Sequence, residues 1–309
     1  MSFYQRSLLD QRRVQLIIDP IPRLSWIVVD TKRSFILLFF WDLIVTFFYY
    51  LLPFHAPELP LTIFGSILAL FLGFRANSSY QRWWEGRILW GQMVNCARNL
   101  VRLSCSSMPS EPGEELTQRI ARLVIVYVNL VRCQLRRIPP DPDIATQLGD
   151  ELNAAVRACT NGANRVLLEI SRTVNHALQK GWIDTIQQAQ LESIVCAMTN
   201  TQGGMERIKS TPLPNQYRFY PKVFTRLCCI LLPIGLVESL GMATPIGSTL
   251  AGFMFLIALR IGDDLTDPFA NTIHDLPLNS LCRTIEIDLC QAVGFDPPPP
   301  ATPVDHVLW

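Results

Sequence analysis

The chain has 309 residues, of which 49% are hydrophobic and only 17% charged, with a net charge of +1. Soluble domains carry about 25% charged residues, and the near-neutral balance leaves no electrostatic footprint for nucleic acid. The apolar residues lie in blocks, which points to membrane spans plus a polar body rather than one greasy globule.

The N-terminal segment, 1–33, holds Arg6, Arg12, Arg13, Arg23, Lys32 and Arg33. Its start mixes polar and apolar residues and lacks the apolar core and small-residue site of a signal peptide. A bilayer core needs about 20 mainly apolar helical residues. Four segments are candidates: Ser34–Phe54, interrupted by Asp42; Pro60–Phe74, short but extendable through Ala76; Val223–Leu240, carrying Arg226 and Glu238; and Met242–Leu259, followed by Arg260. The short links His55–Leu59 and around Gly241 have no Lys or Arg, whereas Arg75–Lys222 is rich in both. The positive-inside rule then places both termini in the cytoplasm, as in a multi-pass protein of a plasma membrane. The alternative is that the second and fourth segments are re-entrant or buried in a soluble core.

The organisation expected is therefore membrane helices 1 and 2 within 34–74, a cytosolic helical region over 75–221, membrane helices 3 and 4 within 222–260, a C-terminal helical segment over 261–295, and a flexible or polyproline-like tail over 296–309. In the middle region, helical spacing predicts Gln81–Ser107, Glu115–Arg136, Ala145–Cys159, Ala163–Gln179 and Ile183–Ile208. Pro139–Pro142 and Thr211–Pro214 break the pattern. No alternating strand pattern, internal repeat or glycine-rich phosphate loop is present. The fold class is all-α. The nine cysteines form no C-x-x-C pair and no Cys/His cluster at metal spacing, so they read as buried, reduced thiols, with no metal or cofactor implied.

The most informative stretch is Leu61–Phe74, which runs without a Gly/Pro break into Arg75-Ala-Asn-Ser-Ser-Tyr-Gln-Arg-Trp-Trp-Glu. A membrane helix continuous with a cytosolic one can carry a cytosolic movement to the bilayer. On a helix, Ile63, Ile67, Leu70 and Phe74 form one stripe. Gly65, Ala69 and Gly73 form another, suited to close packing of a neighbouring helix. The bulky stripe faces lipid, another helix or a pore. Around an axis, rings of Leu70 and Phe74 would form a hydrophobic constriction. Charges within spans are costly unless paired or wetted. Asp42 and Arg226, both near the cytosolic side, are a candidate intramembrane ion pair, with snorkelling of Arg226 to the headgroups as the alternative.

Phe71-Leu72-Gly73-Phe74-Arg75, Tyr80-x-Arg82-Trp83-Trp84-Glu85 and Leu89-Trp90-Gly91 together resemble the second-helix signature of the bestrophin family. Thr211-Pro212-Leu213-Pro214-x-x-Tyr217, Leu232-Pro233, Thr244-Pro245, Asp267-Pro268-Phe269 and Asp275-Leu276-Pro277-Leu278 follow in the family's order, over roughly residues 20–292. The resemblance implies a homopentameric ion channel, four membrane helices per subunit, in a bilayer. Its neck rings fall on Ser66, Leu70 and Phe74, and its cytosolic constriction on Ile186. Ser66 departs from the usual bulky apolar residue, which would widen or wet the outer neck. Animal members bind calcium after the last membrane helix, but the matching stretch from Asp267 to Asp275 lacks the run of carboxylates such a site needs. The short chain resembles the prokaryotic branch, of the bacterial inner membrane. The conducted ions would be small and monovalent, either chloride or sodium and potassium. Arg75 would favour anions near the inner neck; Glu58 and Glu238 would favour cations outside.

A membrane-anchored helical scaffold is the rival reading, with Trp83-Trp84 and the Pro-rich tail as contact points. An enzyme is disfavoured, because His55, His176, His274 and His306 lie far apart with no nucleophile–base motif around them. Coupled transport is disfavoured by the absence of an inverted repeat.

Overall fold

A computed structural model of the chain describes residues 22–52 and 59–303. Arg6, Arg12 and Arg13, the link with His55 and Glu58, and the end of the tail with His306 lie outside the described residues. The described residues form ten α-helices and one 3-10 turn, with no strand among them: α1 (Pro22–Leu51), α2 (Leu61–Ser107), α3 (Ser110–Arg136), α4 (Pro142–Leu148), α5 (Asp150–Ala158), α6 (Gly162–Gln179), α7 (Thr185–Ser210), α8 (Asn215–Leu240), the turn Gly241–Ala243, α9 (Thr244–Asp264) and α10 (Leu278–Ala292). Three helical stretches among the described residues are long and apolar enough to cross a membrane: one in α1, one in α2, and one that includes α8 and α9 in succession.

The chain divides into two units, each built from two separated pieces: Met1–Ser78 with Leu213–Asp263, and Ser79–Pro212 with Asp264–Trp309. The first contains α1, the start of α2, α8 and α9. Its interior is thin. Leu68, Leu72 and Leu259 are buried, with Phe255 and Ala258 against them. The Trp41 indole N–H donates to the Ile230 carbonyl at 3.1 Å, joining α1 to α8. Gly235 lets α8 close on the start of α2, since a Cβ there would lie 2.6 Å from Leu61 Cδ1. Most of the described large apolar side chains of α1 and α8 stay exposed, as expected of helices whose solvent is lipid.

The second unit has a conventional core. α3 is buried along Ile120, Val124, Tyr127 and Val131, and packs on α6, α7 and α10. The helix ends follow local chemistry. Asn161 Oδ1 accepts the Asn164 N–H at 3.0 Å to start α6, and Asp184 and Gln187 form a reciprocal capping box that starts α7. Arg82 closes the C-terminal end of α7: its guanidinium donates to the carbonyls of Ile208 at 2.6 Å and Thr211 at 2.8 Å, and to that of Thr266 at 3.2 Å. Phe269 is fully buried against Gly86, where an added Cβ would lie 3.2 Å from its ring.

Two expectations are corrected. The single helix predicted over Ala145–Cys159 is two, α4 and α5, because Gly149 takes φ +72°, a conformation that glycine adopts without strain. The nine cysteines are all free thiols, but only Cys133, Cys229, Cys282 and Cys290 are buried; Cys105 and Cys196 are exposed on helices and Cys159 is exposed just past the end of α5. Burial pushes the Cys282 thiol up to about 12, which keeps it protonated and unreactive.

Candidate pore-lining face of helix α2

α2 is one 47-residue helix, so the apolar stretch Leu61–Phe74 and the aromatic stretch Tyr80–Trp84 share one backbone rod. At 100° per residue, Leu68, Leu72, Arg75 and Ser79, all buried, centre about 170° away from Ser66, Leu70 and Phe74. The latter three are exposed, Leu70 and Phe74 each to 57%. The predicted neck residues therefore share a continuous face opposite the one with which α2 packs inside its own unit. Ser66 Oγ donates to the Thr62 carbonyl at 2.7 Å, which satisfies the hydroxyl within the helix.

The small-residue stripe lies between those two faces. A Cβ on Gly65 would reach 4.0 Å from the Phe255 ring, while one on Gly73 would meet nothing within 4 Å, and Ala69 is exposed. Within one chain the tight approach on the apolar stretch of α2 thus falls at Leu61 against Gly235, not along Gly65, Ala69 and Gly73.

Arg75, read from sequence as a source of positive charge at the inner neck, is 1% exposed. Its guanidinium donates to the Asp263 carboxylate and to the Arg218 carbonyl at 3.3 Å, and its stem lies against Gly262, where a Cβ would be 3.3 Å away. Lys222 shares the same Asp263 oxygen at 3.2 Å. Sequence reasoning missed this pairing. The two partners are 188 residues apart, so no local pattern signals it.

The structure does not bring Asp42 and Arg226 together. Asp42 is buried and accepts a hydrogen bond from the Thr249 hydroxyl at 2.6 Å, whereas Arg226 is exposed. A short hydroxyl from α9 reaches the carboxylate while the long cation turns outward. Ile186 stands 68% exposed in the first turn of α7, and Glu238 is exposed near the end of α8.

The stretch after α9 is closed by its own contacts. Lys209 donates to Asp267 at 2.7 Å, and that carboxylate also accepts the Phe269 N–H at 3.1 Å. Asp275 accepts the Thr272 N–H at 2.6 Å, and its burial raises the carboxyl pKa above the usual range. The Trp83 indole donates to the His274 carbonyl at 3.2 Å, and Tyr80 stacks on Trp83 and Trp84. Trp83 packs against the core of the unit, whereas Tyr80 and Trp84 stay about half exposed.

The sequence model of the Bacterial/Fungal Bestrophin protein family matches residues 25–291. The chain belongs to that family. It is 34% identical over 239 residues to a voltage-dependent anion channel-forming protein of Mesorhizobium japonicum, covering 77% of this chain and 76% of that one. It is likewise 34% identical over 232 residues to the voltage-dependent anion channel-forming protein YneE of Escherichia coli K12, covering 75% of each. Among solved structures, a bacterial bestrophin homologue from Klebsiella pneumoniae superposes with a TM-score of 0.81 at 30% identity, covering 85% of this bestrophin and 98% of that chain. The helical architecture and the membrane setting of this bestrophin are those of its family.

Proposed function

We propose that this bestrophin is a passive ion channel of small monovalent ions, assembled as a homopentamer with four membrane helices per subunit and a pore on the shared axis. The observation that carries this reading is the exposed face of α2. Ser66, Leu70 and Phe74 stand exposed on the side of α2 opposite its buried residues Leu68, Leu72 and Arg75. Repeated around an axis, Leu70 and Phe74 form two apolar rings that resist wetting, while Ser66 supplies a polar outer ring. Gly65, Ala69 and Gly73, on the flank of that face, suit close approach of the next subunit's α2. Ile186 supplies a second narrowing toward the cytosolic exit. Both termini lie on the cytosolic side of a bacterial inner membrane, with 75–221 and 261–303 in the cytosol.

The relatives' designation as anion channel-forming proteins favours chloride as the conducted ion. One observation favours cations instead. Arg75, the nearest cation to Phe74 in the chain, is buried on Asp263 and gives the neck little positive field. Reversal potentials in asymmetric NaCl across a planar bilayer decide between them. A shift toward the chloride equilibrium potential supports the anion channel, and a shift toward the sodium potential supports the second reading. Leu70→Ala and Phe74→Ala enlarge the current if these residues form the neck. Unchanged conductance and gating in both variants refutes the neck assignment.

A further inference from the structure

We propose that the Asn215 end of α8 is a binding surface for anionic phospholipid headgroups, formed by Arg218, Lys222 and Arg226. These three cations stand at i, i+4 and i+8, a single row on the helix. The row runs beside the buried positions Pro221, Thr225 and Cys229 and is flanked on its other side by Phe219, Val223 and Leu227, all exposed. Like charges four residues apart repel, and the chain supplies little to offset them. Lys222 reaches Asp263 at 3.2 Å, but that carboxylate already serves Arg75. Among the described residues, neither the Arg218 nor the Arg226 side chain forms an ion pair. Among the described residues the row is left with an excess of positive charge that an anionic partner would offset.

Helix length places the row at the right depth. α8 has 26 residues, a length of about 39 Å at 1.5 Å per residue, against a hydrocarbon core of about 30 Å. With its Leu240 end at one face of the core, roughly the first six residues emerge at the other. Tyr217 and Tyr220 then sit at the interface, where aromatic residues gather. Arg218 lies among the headgroups, Lys222 at the boundary, and Arg226 about 8 Å inside it by the same rise. An arginine stem can span that depth and deliver its guanidinium to the phosphate layer. The three cations converge on one layer of negative charge, with an apolar row beside them for the acyl chains. A soluble anion would use the cations but not that apolar row. The surface does not depend on whether the protein conducts.

The test is native mass spectrometry of the full-length assembly released from bilayers of phosphatidylcholine containing one-fifth dioleoylphosphatidylglycerol. Retained phosphatidylglycerol adducts are expected on the wild type. Each charge removed weakens binding about fivefold near a membrane surface, so Arg218→Gln/Lys222→Gln/Arg226→Gln loses the adducts, while Arg218→Lys/Arg226→Lys keeps them. The neutral triple variant is first matched to wild type in assembly size and melting temperature; if it fails that check, the single variant Arg226→Gln, whose side chain pairs with no acid among the described residues, is compared in its place. Equal phosphatidylglycerol retention by the neutral and wild-type proteins overturns the proposal. So does full displacement of the lipid by millimolar inorganic phosphate, which would mark a site for free anion rather than headgroup.

Discussion

Replacing Asp263 by Asn should destabilise this bestrophin more than removing the arginine it pairs with. The Asp263 carboxylate answers two cations, Arg75 and Lys222. Asn at this position leaves the Arg75 guanidinium, 1% exposed, without a counter-charge in the interior. Breaking a fully buried pair costs about 3–5 kcal/mol. Asp263 itself is 34% exposed, so solvent screens part of the interaction and about 2–3 kcal/mol is expected. Arg75→Met is gentler. It keeps an apolar stem against Gly262, removes a guanidinium whose Nε is buried without a hydrogen-bond partner among the described residues, and leaves Asp263 with Lys222. About 1 kcal/mol is expected there. Melting of the detergent-solubilised assembly, at one scan rate and one detergent, ranks the two variants. Equal stability of Asp263→Asn and wild type, or a larger loss in Arg75→Met, refutes the reasoning.

Gly86→Ala should lower stability by about 1 kcal/mol net, since overpacking against the immobile Phe269 and Pro268 outweighs the gain in helix propensity. Gly203→Ala, also in a helix but facing open space, should instead stabilise by up to about 1 kcal/mol. Asp275→Asn should flatten the pH dependence of stability. Burial raises the Asp275 pKa in the folded state, so the folded form holds this proton more tightly than the unfolded one. Its destabilising effect is complete above the raised value and disappears as pH falls toward the unfolded value of about 3.9. Acidification from neutral pH should therefore stabilise the wild type more than the Asn variant, and identical slopes in melting temperature against pH would exclude this assignment. Ile186→Ala should leave melting unchanged to within about 0.5 kcal/mol, because the side chain is exposed, yet alter single-channel conductance; no change in conductance would remove Ile186 from the ion path.

Much of the architecture was legible because the signals are local. Leu61 to Trp84 contains no proline and only one glycine pair at packing spacing, and it forms one helix. Pro139–Pro142 and Thr211–Pro214 end helices where their chemistry says they should. Gly149 sits inside a helical pattern, where a glycine is often tolerated, and only its positive φ reveals the break. Spacing puts Ile63, Ile67, Leu70 and Phe74 on one stripe, the family resemblance adds Ser66, and the fold leaves all five exposed. The identity of the buried face was not readable, because Arg75 looks like an end-of-span cation until Asp263 arrives from 188 residues away. Asp42 is similar: its partner Thr249 lies 207 residues on, and a threonine carries no charge to advertise the match.

Arg82 sets a schedule for biosynthesis. Its three carbonyl acceptors lie 126, 129 and 184 residues further along the chain. At about 5–20 residues per second, roughly 10–40 s pass between translation of Arg82 and of its last acceptor. Gly86 waits a similar time for Phe269. Ile208 and Thr211 are made about two-thirds of the way through that interval, and the set of native partners is complete only when Thr266 and Phe269 follow. The unit built from Ser79–Pro212 and Asp264–Trp309 cannot close until the pieces that interrupt it, α8 and α9, have been made. Interrupting synthesis between residues 212 and 264 should therefore leave a nascent chain whose first helices are formed but whose α2 surface is open to proteases and chaperones.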